Sequence, residues 1–269
     1  MPTNALHTYF NKYKGQTVDF LANHGNIGDT LIFQGTVAFF EQLDIKLNLI
    51  TSITKNNNSL LVVSGGGNLI DHYSVLPTWL LPRVQQATVV YDRVVILPHT
   101  IFGERTIAGL AAFSSCIDIF CRERYSYDFL ADKFPTNQLY LSDDMAFHLD
   151  FSSLKQKGKD SLYVFRTDGE KTSIPIPENN IDLSEEFEIG KPYQHNYWEL
   201  SYWKEFPIKL VEYINQFESV TTNRLHIGIA SALLGKETTI YPNNYFKNKG
   251  IYEYSLSKMD HVTFIDKTE

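Results

Sequence analysis

The sequence is poor in cysteine, in excess positive charge and in long apolar runs, and each shortage excludes a class of protein. Its 269 residues include only Cys116 and Cys121, too few for a disulfide framework, so a reduced cytoplasmic protein is expected. The formal net charge of −7 argues against a nucleic-acid partner, because such partners are bound through excess positive charge. The apolar stretches fall short of the roughly 20 residues that cross a bilayer. The first residues also lack the apolar core of a secretory signal.

The residues that are present predict an α/β protein of two domains. Hydrophobic residues make up 43% of the chain, enough to bury a core. Short apolar runs such as TVDFL, LLVV and VVILPH alternate with amphipathic stretches, a pattern typical of βαβ units on a parallel sheet. The pattern is interrupted by the polar stretch FSSLKQKGKDS. We therefore predict two Rossmann-like, doubly wound domains facing a cleft, at residues 1–150 and 158–269, with the last helix packed back on the first domain. The segment Thr167–Lys191 is predicted to be a mobile surface loop.

Ligands of doubly wound sheets bind beyond the carboxyl ends of the strands, so the loops between strands and helices are the candidate site. The first such loop is NHGNIGDT, in which Gly25 and Gly28 permit close backbone approach, Asn26 lies between them, and Asp29 can cap the following helix. A tight turn with an N-cap explains the same residues.

A second junction, SGGGNLID, follows an apolar strand. Gly66 and Gly67, with Asn68, could leave backbone N–H groups open to form an anion-binding nest. The segment has neither the Lys-Ser of a Walker loop nor the spacing of a dinucleotide fingerprint, so the glycines alone are a weak signal.

Two further junctions carry cations. In FCRERYSYDFL we expect Arg122 to point into the cleft, where its planar fork suits a carboxylate or phosphate; the alternative is an arginine paired with Glu123 at the surface. In TTNRLHIGIASALLG, the polar residues Asn223, Arg224 and His226 stand at the start of a helix that is otherwise apolar. Polar and titratable residues at a helix start are typical of an anion site, although a lone histidine there is as often structural.

Three weaker candidates complete the set. His99 ends the strand ILPH and is either a cleft residue or a hydrogen-bonded structural histidine. Asp143 and Asp144 are adjacent on one strand and point to opposite faces, so no metal site is predicted. Lys247 lies in a loop before a predicted helix, where an exposed lysine is the ordinary explanation.

In order along the chain, the segments GNIGDTLI, SGGGNLID, ILPHTI, FCRERYSYDFL, LSDDMAF, TNRLHIGIASALLGK and NNYFKNKGIYEY resemble the polysaccharide pyruvyl transferase family. The resemblance implies a fold similar to two-domain GT-B glycosyltransferases. It also implies transfer of pyruvate from phosphoenolpyruvate to two sugar hydroxyls as a cyclic ketal, with release of phosphate. The family's motifs place Arg122, His226 and Lys247 in the handling of phosphoenolpyruvate. His99 departs from the pattern, because relatives often have Gln at that position.

These expectations assign the first domain to the acceptor and the second to the donor. His226 is the expected general acid and Asp29 the expected base, with Asn223 and Arg224 on the donor side. The glycine loops would admit the acceptor or its diphosphate. No cofactor is expected beyond the donor substrate. The expected acceptor is a sugar or a lipid-linked oligosaccharide, which would bring the enzyme into peripheral contact with the inner face of the membrane.

Two other classes remain open on the sequence. A GT-B glycosyltransferase would use a nucleotide sugar in the same architecture, although Arg224 and Glu237 do not clearly furnish a nucleotide pocket. A non-catalytic saccharide-binding protein would keep sugar binding without His226 and Lys247. Release of phosphate from phosphoenolpyruvate distinguishes these classes.

Overall fold

A computed structural model describes residues 5–23, 25–54, 59–72, 80–186 and 200–266. The chain divides into two compact units, and each is described separately. Unit 1 comprises Met1–Asn23 and Thr36–Met145, and unit 2 comprises His24–Gly35 and Ala146–Glu269. The residues of the first glycine loop therefore group with unit 2.

The elements of the first half of the chain are strands rich in apolar residues and the helices that connect them. The strands are β1 (Thr17–Leu21), β2 (Lys46–Ile50), β3 (Leu60–Val63), β4 (Gly66–Ile70), β5 (Arg93–Phe102), β6 (Ile117–Cys121) and β7 (Leu139–Leu141). The helices are α1 (Ala5–Phe10), α2 (Ile27–Gln42), α3 (Leu80–Val90), α4 (Glu104–Ala111) and α5 (Arg124–Ala131).

The strands of unit 1 form one parallel sheet within the described residues. Its order is β2-β1-β3-β5-β6-β7, and β4 also pairs with β5. Strands β3 and β6 are buried along their whole length, as expected for the inner strands of a parallel sheet that is covered on both faces. The strand order reverses between β1 and β3, and such a reversal is where ligands meet the carboxyl ends of the strands.

The glycine segment after β3 is a strand rather than an open nest. Gly66 pairs with His99 of β5, and the ladder is irregular between Gly66 and Leu69. Gly66 has a φ of +153°, and a Cβ there would lie 3.1 Å from the side-chain nitrogen of Asn23 and 3.2 Å from the ring of His99. A glycine is needed because the backbone passes close to these two polar side chains.

Unit 2 contains a second parallel sheet. Its strands are β8 (Ser161–Val164), β9 (Ser219–Thr222), β10 (Glu237–Ile240) and β11 (Val262–Phe264), and its helices are α6 (Leu183–Glu186), α7 (Leu200–Asn215), α8 (Leu225–Leu233) and α9 (Lys247–Tyr254). The four described strands lie in chain order, so they lack the reversal that a doubly wound sheet has. Each connection steps to the next strand in the same direction, and right-handed crossovers of that kind place their helices on one face.

The core of unit 2 joins α8 to the beginning of α2. Ile227 and Ile229 of α8 are buried in one apolar cluster with Ile27 and Leu31 of α2, which explains why the start of α2 groups with this unit. Within the described residues, no helix has the length and apolar character needed to cross a membrane.

Candidate functional site

Arg122 is a buried side chain whose guanidinium is held from two sides. Its Nε donates to Oγ1 of Thr100 at 2.8 Å, and its Nη1 donates to Oδ2 of Asp144 at 2.7 Å. Only 1% of the side chain is exposed. The residue comes directly after β6, as the sequence predicted, and its ion pair is with Asp144 rather than with Glu123. A buried arginine of this kind has a fixed orientation because both of its partners are themselves buried.

Glu123 instead caps helix α5. Its carboxylate accepts a hydrogen bond from the backbone N–H of Ser126 at 2.8 Å, and it also hydrogen-bonds the Ser126 hydroxyl. Burial raises the pKa of Glu123. The alternation of side chains after a strand therefore separates two neighbours, with Arg122 on the Asp144 side and Glu123 at the helix start.

Two asparagines and His99 form a hydrogen-bonded group in unit 1. The amides of Asn23 and Asn68 bond reciprocally at 2.8 and 2.7 Å, and Nε2 of His99 lies 3.1 Å from Oδ1 of Asn68. Asn23 follows β1 and His99 is in β5, so the group adjoins the reversal in strand order. Burial lowers the pKa of His99 to about 3, and the charge of Arg122 acts in the same direction. His99 is therefore neutral at physiological pH, which fits a hydrogen-bonding role.

The first glycine loop forms a reciprocal cap on α2. Oδ1 of Asn26 accepts from the backbone N–H of Gly28 at 2.8 Å, and Oδ2 of Asp29 accepts from the backbone N–H of Asn26 at 2.8 Å. This is the arrangement of a capping box, with a shorter acid at the third helical position. A Cβ on Gly25 would collide with the Asp29 carboxylate. The capping role that the sequence allowed for Asp29 is thus present in the structure.

Gly28 brings this loop against His226. A Cβ at Gly28 would lie 2.8 Å from both Cβ and Nδ1 of His226, so only glycine leaves room for the imidazole. His226 is the second residue of α8 and Gly28 the second of α2. Two helix N-termini, each with its positive end of the helix dipole, therefore meet beside a half-buried histidine. The positive ends of both helix dipoles would stabilise an anionic group close to His226.

Arg224 is bound by two acidic side chains of the segment that follows β8, Asp168 and Asp182. Its Nε and Nη2 donate to the two carboxylate oxygens of Asp182 at 2.5 and 2.6 Å, and Nη2 also lies 3.2 Å from Asp168. Burial alone would raise the pKa of Asp182, but the hydrogen bonds and charge of Arg224 outweigh it and lower the pKa. The bidentate pair ties the loop to the start of α8.

Asn223 links the ends of three elements of unit 2. Its Oδ1 accepts from the backbone N–H of Arg166, just after β8, at 2.8 Å. Its carbonyl accepts from the side chain of Asn248, in α9, at 2.7 Å. Asn223 itself follows β9. The side chain and the backbone carbonyl of Asn223 together hold the carboxyl ends of β8 and β9 beside the start of α9.

Lys247 lies in a second acid–cation group. Its Nζ donates to Oε2 of Glu170 at 2.8 Å, and the same oxygen accepts from Nη1 of Arg166 at 2.5 Å and from the amide of Asn243 at 3.3 Å. Arg166 also makes a bidentate contact with Asp168 at 2.7 and 3.0 Å. Burial would raise the pKa of Asp168, but the hydrogen bonds and charge of Arg166, together with the charge of Arg224, lower it to about 2.

We predicted a mobile surface loop at 167–191; its described part is mostly exposed or partly exposed and contains only the short helix α6, and its mobility stays a prediction. Asp168, Glu170 and Asp182 are paired with Arg166, Arg224 and Lys247. Arg166 could have been found, because it comes two residues after the end of β8, near a strand end as Arg122 is. The pairing itself leaves no local signal, since Glu170 and Lys247 are 77 positions apart. Residues 187–191 lie outside the described residues. Among the residues that the structure describes, no group of three or more His, Cys, Asp or Glu side chains could hold a metal ion.

Comparisons with known proteins support a single family. The sequence model described as polysaccharide pyruvyl transferase matches residues 26–245. A protein of Bacillus subtilis (strain 168) named "Putative pyruvyl transferase EpsO" is 27% identical over an alignment of 264 residues. The alignment covers 85% of this chain and 81% of that protein. A crystal structure of a functionally uncharacterised protein from Klebsiella pneumoniae subsp. pneumoniae NTUH-K2044 is 29% identical, with a TM-score of 0.80 over 97% of this chain and 96% of the other.

Proposed function

The chain belongs to the polysaccharide pyruvyl transferase family, and on that premise we propose that it transfers pyruvate from phosphoenolpyruvate to two hydroxyls of a sugar. The acceptor is a precursor of an exopolysaccharide, a capsule or a cell-wall glycan, and the product is a cyclic ketal. The family match over residues 26–245 carries the proposal. It spans the first glycine loop from Asn26 onward, the second glycine segment, the Arg122 segment and the Arg224–His226 segment, and it ends two residues before Lys247.

The reaction has a simple balance of bonds. A proton is added to the methylene carbon of phosphoenolpyruvate, and a sugar hydroxyl adds to the neighbouring carbon, which becomes electron-poor. That carbon then loses phosphate and bonds the second hydroxyl, closing the ketal. Two protons leave the hydroxyls: one restores the acid that protonated the donor, and the other passes by way of the base to the released phosphate. The chemistry calls for cations that bind the donor, an acid and a base.

We assign the donor-binding cations to Arg122 and Lys247. Phosphoenolpyruvate carries a carboxylate and a phosphate, which suit a planar guanidinium and an ammonium respectively. The fixed orientation of Arg122, set by Asp144 and Thr100, supports the assignment because preorganised donors lose less entropy on binding. Arg224 and Asn223 act on the donor side indirectly, through the loop and strand ends that they hold in place.

We assign the general acid to His226 and the base to Asp29. His99, the other histidine at a strand end, has a pKa of about 3, so near neutral pH it lacks the imidazolium proton that a general acid donates. The contact between Gly28 and His226 places the α2 capping loop, which contains Asp29, beside His226. The bond from the Asn26 N–H holds the Asp29 carboxylate in place. Asn68 and His99, with Gly66 and Gly67, remain our proposed acceptor contacts.

The likeness to GT-B glycosyltransferases, with two Rossmann-like domains, is part of the same proposal. The reversed strand order of unit 1 supports it, and the sequential order in unit 2 represents a departure. A lipid-linked acceptor, the cytoplasmic location and peripheral contact with a membrane remain predictions.

The decisive experiment follows phosphate release from phosphoenolpyruvate while a panel of galactose, glucose and mannose acceptors, free, nucleotide-linked and lipid-linked, is examined by mass spectrometry. We expect phosphate release that depends on one acceptor class, and a pyruvate ketal on that acceptor. Transfer of a sugar from a nucleotide sugar would instead identify a glycosyltransferase. Acceptor binding without any turnover would identify a saccharide-binding protein.

A further inference from the structure

Glu170 accepts hydrogen bonds from the kind of donors that bind an anionic ligand. One of its carboxylate oxygens accepts from the guanidinium of Arg166, the ammonium of Lys247 and the amide of Asn243, at 2.5, 2.8 and 3.3 Å. Two cations and an amide converging on a single oxygen are a typical binding arrangement for a carboxylate or phosphate oxygen. Here a side chain of the same polypeptide occupies it.

The segment that carries Glu170 is a turn that makes few apolar contacts. Asp168–Lys171 form it, with the backbone N–H of Lys171 donating to the carbonyl of Asp168 at 3.0 Å. Thr167, Gly169 and Lys171 are exposed, and a Cβ at Gly169 would meet no atom within 4 Å. The turn is held by polar contacts, chiefly the ion pairs of its two acids and a backbone bond from Asn244 at 3.3 Å. Moving it would expose little apolar surface, so its displacement costs little hydrophobic free energy.

The charges of the group balance without a ligand. Asp168 contacts both Arg166 and Arg224, and Glu170 contacts both Arg166 and Lys247. With Asp182 on Arg224, the group has three acids and three cations. An anionic donor that binds Lys247 therefore adds negative charge beside Glu170, and like charges at close range repel. The donor and the Glu170 carboxylate compete for the same ammonium.

We infer that Glu170 is an internal anion ligand that the donor must displace from Arg166 and Lys247, so that this residue sets the affinity for phosphoenolpyruvate. The inference rests on the proposed function only for the identity of that donor. When an internal competitor occupies a binding site, the apparent dissociation constant is the intrinsic one divided by the fraction of molecules in which the site is open. Removing the competitor's charge therefore tightens binding, although it removes two ion pairs.

The test compares Glu170→Gln with wild type by calorimetry, using phosphoenolpyruvate and inorganic phosphate as separate ligands. Glutamine keeps the size of the side chain and an acceptor oxygen but removes the charge. The matched control is Glu178→Gln, which removes an exposed charge from the same loop. We expect Glu170→Gln to lower the dissociation constant on the order of tenfold, and Glu178→Gln to leave it within twofold of wild type.

Two outcomes of the calorimetry and one further experiment test the inference. Unchanged or weaker binding of both ligands by Glu170→Gln would overturn the inference, because Glu170 would then position the cations rather than compete for them. Tighter binding of phosphate without any binding of phosphoenolpyruvate would uphold the internal ligand and remove the proposed donor. Hydrogen exchange of the wild-type protein gives a test that needs no variant: either anion should increase exchange in residues 167–171, and protection there would contradict displacement.

Discussion

Arg122 and Asp144 form an ion pair in which the two side chains are 1% and 0% exposed, with 2.7 Å between Nη1 and Oδ2. Burying either charge alone would be costly, so each residue makes the burial of the other tolerable. The pair keeps the Arg122 guanidinium in one orientation. In the proposed mechanism, Asp144 is therefore a positioning residue whose effect on the donor passes through Arg122.

Replacing Asp144 with Asn should destabilise the protein by about 3–5 kcal/mol, because the Arg122 charge stays buried without a counter-charge. The free energy of unfolding, measured by urea denaturation, tests this expectation. Asp143→Asn, at the partly exposed neighbouring position, is the control and should cost under about 1 kcal/mol. Equal effects of the two substitutions would show that the buried pair is not what stabilises this part of the sheet.

Arg122→Lys should be a poor replacement for donor binding. A lysine can still pair with Asp144, but its single nitrogen cannot also maintain the 2.8 Å bond to Thr100 and present a planar fork to a carboxylate. We expect about 1 kcal/mol less stability from the lost hydrogen bond. We also expect KM for phosphoenolpyruvate to rise on the order of tenfold or more, the loss of one charge-assisted bond. Wild-type kinetics in this variant would confine Arg122 to a structural role.

Local sequence predicted several strands of the α/β fold, but it did not predict strand β4, which begins with two glycines. The predicted strands TVDFL, LLVV and VVILPH correspond to β1, β3 and β5, because buried parallel strands need apolar, β-branched runs. Gly66–Ile70 was interpreted as a loop since it contains two glycines and an asparagine. It is a strand because β5 offers it a pairing edge and His99 needs a neighbour without a Cβ.

The sequence predicted which residues of the candidate site lie at strand ends, but it did not predict which side chains form ion pairs there. The residues at the strand ends were identified because parallel strands bring their carboxyl ends to one edge. The partner of Arg122 was missed, although Asp143 and Asp144 were predicted to lie on one strand and to point to opposite faces. Both residues instead come after the end of β7, and Asp144 is buried against Arg122 while Asp143 stays partly exposed. Nothing in the local sequence connects residues 22 positions apart.

Stability should depend on acid pH through Asp182. Its pKa is lowered from the ordinary value of 3.8 by Arg224, so in that range the unfolded chain binds more protons than the folded one. The stabilisation is complete well above pH 3.8 and is lost as the pH falls below that value. The difference in thermal midpoint between wild type and Asp182→Asn should therefore shrink on acidification, whereas Asp128→Asn, on the exposed face of α5, should show no such trend. A difference that is constant with pH would contradict the ion pair's role.

Asp29 can be tested as base and as cap separately. Asn at this position keeps an acceptor for the Asn26 N–H but cannot take a proton from a hydroxyl, whereas Ala removes both functions. We expect Asp29→Asn to preserve the thermal midpoint and to lower turnover on the order of 10²-fold or more. Asp29→Ala should lose about 1 kcal/mol of stability in addition. Full turnover in Asp29→Asn would leave the residue as a cap alone.

His226→Gln should lower turnover by roughly 10²–10⁴-fold, the usual contribution of a general acid, because glutamine keeps hydrogen bonding but has no titratable proton. The thermal midpoint should stay close to wild type, since His226 is only half-buried. The matched control is His99→Gln. His99 is neutral, with a pKa of about 3, and glutamine can maintain the bond to Asn68, so its turnover should fall only a few-fold. Phosphate release with a competent acceptor and the midpoint are measured on the same preparations. The reverse result, with His226→Gln active and His99→Gln inactive at an unchanged midpoint, would transfer the proton donor to His99 and remove the helix-start histidine from the mechanism.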